Sequence, residues 1–258
     1  MKLVRDNIPD IMETNGCTNI QIQKLGNDDY TKALSLKLKE EAAEAAAEVQ
    51  ECNREGIIEE LADLEEVRFL ELDPQSIRFV IVGMEPYPTD YGKNGICYPI
   101  VTGRSFEVDN VTDWNQKFKQ SSLRNILKAI YFECAGKEES LSTIRKEIED
   151  GTFKISQPKE WFDNMKTQGV LFLNASLTVR KYIVNFHNNL WKNYMDQLIS
   201  YIEEQNHPIW LLFGKDAQMR VLLHVDESHT ICTCHPRLTD FIKEHPFKEM
   251  SKQIKLNC

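Results

Sequence analysis

Four short polar segments contain the side chains that could do chemistry, and each follows a run of apolar residues. The segments are Gly83–Pro88, which includes Glu85 and Tyr87, then Asn174–Val179, Gly214–Gln218 and His235–Thr239. A pocket that holds a carboxylate, a phenol, an amide and an imidazole could bind a planar polar heterocycle and hydrolyse a bond to it. That chemistry requires the four segments to meet at one place in the fold.

The apolar runs before these segments predict the strands of a sheet. The runs are Ile77–Val82, Gly169–Leu173, Ile209–Phe213 and, more weakly, Thr230–Cys232, and the helical stretches among them are Leu123–Ala135, Leu190–Gln205 and Asp216–Leu223. Strands that alternate with helices predict an α/β domain with a central, mostly parallel four-stranded sheet flanked by helices. Because loops at the carboxyl ends of such strands lie together, the four polar segments are expected to converge.

The order of these segments resembles that of the family 1 uracil-DNA glycosylases. The water-activating loop of that family reads Gly-Gln-Asp-Pro-Tyr-His, and a Gly-Leu-(Ala/Cys)-Phe motif begins twelve residues after its first Gly. The chain has Gly83–Pro88 and Gly95–Tyr98 at that spacing, and its Trp161–Arg180 stretch is similar to the family text. Trp191, Leu212–Gly214, Ala217–Gln218 and His235–Pro236 also fall in family positions. The resemblance implies a uracil-DNA glycosylase-like domain at residues 76–258.

The resemblance also implies roles for individual residues. Asn174 would read the edge of a flipped pyrimidine, on which Tyr98 would stack, and Tyr87 would exclude the methyl group of thymine. Glu85 would stabilise the cationic sugar and orient water, while His235 would donate a hydrogen bond to the departing base. The implied base-binding set is Met84, Tyr87, Tyr98 and Asn174, and the implied DNA-binding set is Ser122, Pro236, Arg237 and Leu238. DNA is the expected partner, and the resemblance implies no cofactor for this domain.

Departures from the family pattern leave three alternatives. Glu85 stands where the family has Asp, and a displacement of about 1 Å can reduce a rate roughly a hundredfold. Pro88 replaces His, Tyr98 replaces Phe, and an insertion is expected near Val101–Gln120. The domain is therefore a slower uracil glycosylase, an enzyme for another modified base, or a module that binds DNA or a partner without cutting.

An acidic helical pattern precedes this domain. Glu41 and Glu44 lie three residues apart on one predicted helix, and Glu60 and Asp63 repeat the spacing on the next. Four carboxylates on two facing helices suit Mg²⁺, whereas a solvated acidic face is the alternative. The spacing, together with the opening Lys2–Ile11, resembles the MazG-like nucleotide pyrophosphohydrolases. The resemblance implies an all-α segment at residues 1–72 that hydrolyses a nucleoside triphosphate or forms a homodimer through its helices.

The distribution of charge favours contact between the second domain and DNA. The whole chain has a net charge of −9. Residues 1–75 carry 18 acidic and 8 basic side chains, whereas residues 76–258 carry 22 acidic and 23 basic ones. The acidity thus lies outside the glycosylase-like part.

Seven cysteines without framework spacing predict free thiols in a cytoplasmic protein, and the absence of a long apolar run predicts no membrane contact.

Overall fold

The computed structural model describes residues 72–93, 96–179 and 182–257, with the backbone alone at 90–93 and 96–99. Pro74–Cys258 form one compact unit. The carboxylates expected to bind Mg²⁺ lie outside the described residues, as do the helices predicted to carry them. They are Glu41, Glu44, Glu60 and Asp63.

The predicted parallel sheet is confirmed. The strands are β1 Phe79–Gly83, β2 Asp90–Lys93, β3 Ile96–Pro99, β4 Val170–Asn174, β5 Ile209–Phe213 and β6 Thr230–Thr233. Four of them form one parallel sheet in the order β4-β1-β5-β6, whereas β2 and β3 form an antiparallel hairpin that the sequence did not predict. All five residues of β1 are buried, because both faces of a central parallel strand are covered.

The helices are those predicted from the sequence and several more. They are α1 Ser121–Ala135, α2 Leu141–Glu149, α3 Pro158–Thr167, α4 Lys192–Asn206, α5 Lys215–Val221, α6 Asp240–Lys243 and α7 Lys248–Ser251, with 3-10 turns at Pro74–Ser76 and Glu227–His229. Local signals start the two unpredicted longer helices. The Ser140 side chain caps α2 by accepting a bond from the Thr143 N–H at 3.1 Å, and Pro158 occupies the first turn of α3.

Helices cover both faces of the sheet. Phe79 and Ile81 of β1 belong to a buried cluster with Leu127 of α1 and Trp161 of α3. On the opposite face, the Trp210 indole N–H donates to Glu203 of α4 at 2.7 Å. This arrangement leaves the carboxyl edge of the strands as the place where polar loops gather. Within the described part of the chain, no helix is long and apolar enough to span a bilayer.

Candidate active site

The loops after β1 and β4 are joined to each other at the carboxyl edge of the sheet. Gly83 pairs with Asn174 at the ends of these two strands. The Ala175 N–H donates to the Gly83 carbonyl at 2.8 Å, and the Ser176 N–H donates to the Met84 carbonyl at 2.9 Å. The backbone ladder thus continues past the strands, and it fixes the spacing between the predicted water-activating loop and the predicted base-reading amide.

Asn174 is buried in the position from which an amide can face a ligand. Its side chain is 3% exposed, and its Nδ2 donates to the Gly103 carbonyl at 3.2 Å. A Cβ atom on Gly83 would lie 3.3 Å from the Asn174 Oδ1 and 3.0 Å from the Ser105 Cβ. Glycine at position 83 therefore leaves room for the Asn174 amide.

Phe106 is a candidate site residue that the sequence analysis missed. Its Cζ would lie 3.2 Å from a Cβ on Gly83, and its ring centroid lies 6.2 Å from that of His235. The ring thus lies close to Gly83, beside which the Asn174 amide also lies, and close to His235. Phe106 has a φ of 66°, which is rare for a residue with a side chain, and the buried Ser105 hydroxyl holds the turn by donating to the Ile81 carbonyl at 3.1 Å.

The sequence contains a second match to the glycine-to-phenylalanine motif, and this match ends at Phe106. Gly103, Ser105 and Phe106 supply the glycine, the small residue and the phenylalanine of the family motif Gly-Leu-(Ala/Cys)-Phe. The extra residues then precede this motif and include the β2–β3 hairpin. Tyr98, which was predicted to stack on the base, lies in β3 with its backbone paired to Tyr91, and its side chain is outside the described part.

Glu85 presents one free carboxylate oxygen within a half-buried loop. Its Oε2 accepts a hydrogen bond from the Asn185 backbone N–H at 2.9 Å. Its Oε1 is buried and has no hydrogen-bond partner among the described residues. Burial raises the pKa of Glu85 above its ordinary value; the Asn185 bond lowers it, and the charge of Asp216 raises it. The Oε1 atom retains the capacity to orient water or to face a cationic substrate.

The surroundings of His235 favour a neutral imidazole in one tautomer. The Arg237 backbone N–H donates to its Nδ1 at 3.1 Å, so Nδ1 carries a lone pair. Burial lowers the pKa of His235 and the charge of Arg237 lowers it further, although Asp216 opposes both. The proton of the neutral ring is therefore on Nε2, which can donate a hydrogen bond to a ligand.

Gly214 brings His235 against the end of β5. Its φ is 99°, and a Cβ atom there would lie 3.1 Å from the His235 Cβ. The Gly214 N–H donates to the Thr233 carbonyl at 3.0 Å, and the Gln218 side chain donates to the same carbonyl at 2.9 Å. These contacts fix the start of the loop after β6, which carries His235 to the Phe106 ring.

The loop from His235 to Leu238 is anchored from α1. The buried Asn125 amide donates to the Pro236 carbonyl at 2.7 Å and to the Leu238 carbonyl at 3.2 Å. Pro236 is buried, whereas Arg237 is exposed and the Leu238 side chain is 50% exposed. An exposed leucine on an anchored loop has the geometry expected of an apolar wedge, and its insertion into DNA remains a prediction.

Tyr87 and Ser122 lie close together. The Tyr87 hydroxyl is buried without a hydrogen-bond partner among the described residues. Burial raises the pKa of Tyr87 to about 12, and the nearby Ser122 hydroxyl opposes that rise, although the two groups do not reach hydrogen-bonding geometry. Ser122 is only 5% exposed, so the predicted phosphate contact would require its hydroxyl to become accessible.

Met84 lines a cavity next to the loop that carries Glu85. With Ala175 and Asp216 it lines a space of about 300 Å³ that reaches Lys192 and Arg220. The structure thus brings Glu85, Asn174 and His235 to one edge of the sheet, with Phe106 close to the last two. No group of three His, Cys, Asp or Glu side chains within the described ranges could hold a metal ion.

Uracil-DNA glycosylases are similar to this chain in sequence. The protein of Ureaplasma urealyticum is 28% identical over 168 residues, which are 64% of this chain. The protein of Agathobacter rectalis is 25% identical over 207 residues, which are 73% of this chain and 78% of that protein. The chain spans 62% and 63% of the lengths of the Ureaplasma urealyticum and Ureaplasma parvum relatives. No protein-family model matches the chain.

A solved structure shares the fold. The wild-type UNG crystal structure from Nitratifractor salsuginis matches with a TM-score of 0.55 and 22% identity, over 73% of this chain and 78% of that one. At this identity the likeness shows the architecture alone. The chain thus has the α/β fold of that protein, and it resembles uracil-DNA glycosylases in sequence over 64% to 73% of its length.

Proposed function

We propose that this protein is a DNA glycosylase that flips uracil, or a related pyrimidine, out of DNA and hydrolyses its N-glycosidic bond. The observation that carries the proposal is the proximity of the Phe106 ring to Gly83, beside which the buried Asn174 amide also lies, and to the His235 imidazole. A pyrimidine stacked on that ring would meet a donor and an acceptor on one edge and a hydrogen-bond donor on another. The sequence similarity to uracil-DNA glycosylases supports the same substrate class.

In the proposed reaction, the electron pair of the glycosidic bond leaves with the base. The His235 Nε2–H donates to a base oxygen and stabilises the negative charge that develops there. The Glu85 carboxylate faces the cationic sugar and orients the water whose oxygen bonds to C1′. Asn174 distinguishes uracil from cytosine, because the two bases present opposite donor and acceptor patterns to a fixed amide.

Uracil excision is tested by incubating the full chain with a uracil-containing oligonucleotide and assaying for alkali-labile sites. The proposal predicts strand breaks at uracil after alkali treatment and none at thymine. The control is Glu85→Gln, which keeps the size of the side chain and removes its charge. No breaks with the wild-type protein at high enzyme concentration would refute the proposal.

The second candidate is a DNA-binding or interaction module, or an enzyme for another modified base. It is favoured by one observation, the longer Glu85 side chain where the family has Asp. The Glu85→Asp variant separates these functions. If the wild type is inert and Glu85→Asp gains uracil excision, the binding role is favoured, and activity on other altered pyrimidines favours the modified-base role.

The proposal for the N-terminal segment rests on its sequence pattern alone. Glu41, Glu44, Glu60 and Asp63 would hold Mg²⁺ for hydrolysis of a nucleoside triphosphate to the monophosphate, in a dimer formed through the helices. Pyrophosphate release from dUTP with Mg²⁺ is the test, with Glu41→Gln as the control. Equal release by the two proteins, or no release, would refute this role.

A further inference from the structure

Large apolar side chains are exposed in one short segment, Tyr182–Phe186. Tyr182 is 70% exposed, Val184 57%, Phe186 48% and Ile183 43%. Four such residues within five positions are unusual at a protein surface, because exposed apolar groups tend to be scattered singly. We refer to Tyr182, Ile183, Val184 and Phe186 as the apolar rim.

The apolar rim is attached directly to the predicted water-activating loop. The Tyr182 N–H donates to the Pro88 carbonyl at 2.9 Å, and the Asn185 N–H donates to Glu85 Oε2 at 2.9 Å. The segment that bears the exposed side chains therefore lies against the loop that carries the Glu85 carboxylate.

The chain downstream of the rim is anchored to the body of the domain. The Trp191 indole donates to the Thr178 hydroxyl at 2.7 Å, and that hydroxyl lies 2.9 Å from the His187 Nδ1. The Arg220 guanidinium donates to the Asn188 carbonyl at 3.2 Å. The rim is thus a preformed part of the site, which reduces the entropy lost when a ligand binds to it.

The chemistry of the rim suits nucleobases. Residues 182–190 contain no acidic side chain, and Arg180 and Lys181 come directly before them in the sequence. Exposed aromatic rings next to cationic residues are the usual means by which proteins bind unpaired bases without reading their sequence. A base within a duplex is already stacked on its neighbours, so only unpaired bases have faces available for both rings.

We propose that Tyr182 and Phe186 form a stacking subsite for the unpaired nucleobases that flank the flipped nucleotide. The subsite rests on the proposed base excision for its place next to the reacting base. It gives the protein a preference for single-stranded over double-stranded DNA.

The test measures binding to uracil-free DNA by fluorescence anisotropy, separately from excision. The wild type is compared with Tyr182→Ala/Phe186→Ala and with Tyr182→Phe/Phe186→Tyr, which keeps both rings. Tyr201→Ala is the matched control, because Tyr201 is 41% exposed on α4, outside the rim. Truncation of both rings is expected to weaken single-strand binding roughly tenfold or more, and duplex binding less than about threefold. The ring-keeping variant and Tyr201→Ala are expected to bind like the wild type.

Three results would overturn the subsite: unchanged single-strand affinity of the double alanine variant, equal losses on single-stranded and duplex DNA, or failure of the ring-keeping variant. The assay separates this inference from the proposed function, because uracil excision is scored in a parallel reaction. A wild type that excises uracil while the rings make no difference to binding refutes the subsite alone. A ring-dependent loss of binding without excision refutes the glycosylase alone.

Discussion

At the scale of single residues, the two titratable groups of the site have pKa shifts in opposite directions with the same main cause. Burial disfavours the charged form of each group, so it raises the pKa of Glu85 and lowers that of His235. At a pH above both pKa values, the carboxylate is ionised and the imidazole is neutral. This combination is the one that the proposed reaction requires, because Glu85 acts as an anion and His235 as a neutral donor.

The pH dependence of excision should follow Glu85. Since its pKa is raised, the carboxylate is protonated at a pH where an ordinary glutamate is ionised, and the rate should rise with pH through that raised pKa. Single-turnover excision rates across the acid and neutral range measure this rise, which forms the acid limb of the pH–rate profile. Glu85→Gln should lower the rate roughly a hundredfold or more and remove the limb. An acid limb that persists unchanged in Glu85→Gln would assign the titration to another group.

Replacing the amide of Asn174 should weaken the preference of the protein for uracil over cytosine. In Asn174→Asp, an ionised carboxylate accepts hydrogen bonds and cannot donate to the uracil carbonyl. Loss of this buried donor should lower the rate of uracil excision at least about tenfold relative to cytosine. Competition between uracil and cytosine oligonucleotides measures the ratio. A ratio equal to that of the wild type would mean that Asn174 does not contact the base.

At the scale of secondary-structure elements, the join between β5 and α5 determines where His235 lies. Gly214→Ala adds a Cβ atom 3.1 Å from the His235 Cβ at a φ of 99°. Gly151→Ala is a matched control, because Gly151 has a φ of 78° and a Cβ atom there would have no neighbour within 4 Å. Both should lose about 1–2 kcal/mol of stability from backbone strain. Only Gly214→Ala should also lose excision, roughly tenfold, as measured in single-turnover assays.

Equal excision by the two alanine variants at matched folded concentration would contradict this account of Gly214. Chemical denaturation gives the folded fraction of each variant. A loss confined to stability would mean that His235 tolerates displacement.

The sheet could be predicted from the sequence because its strands are short apolar runs with clear boundaries. Phe79–Gly83 is buried throughout, so the apolar character of this run follows from its burial alone. By contrast, α2 buries only Ile144, and such sparse burial leaves a weak helical signal. From the sequence, base stacking is assigned to Tyr98, although Gly103–Phe106 offers the same kind of motif as Gly95–Tyr98. Contacts with Gly83 and His235, which are distant in sequence, place Phe106 at the site.

At the scale of the whole molecule, the charge of the glycosylase-like part limits how strongly it can bind phosphate. Residues 76–258 are nearly neutral, with 22 acidic and 23 basic side chains. Neutralising about three phosphates would give a slope of about −3 for log affinity against log salt on duplex DNA. Anisotropy titrations at several salt concentrations measure that slope. A slope steeper than about −6 would show a concentrated basic surface that the present charge balance does not predict.

The central claim is that Glu85, Asn174, Phe106 and His235 surround one flipped pyrimidine and release it. The most direct measurement is mass spectrometry of the free base after incubation with matched oligonucleotides that contain uracil, cytosine or thymine at one position. The account predicts free uracil from the wild type, no thymine, and loss of release in Phe106→Ala and Glu85→Gln. Absence of any free base with the wild type, or undiminished release in both variants, would contradict it.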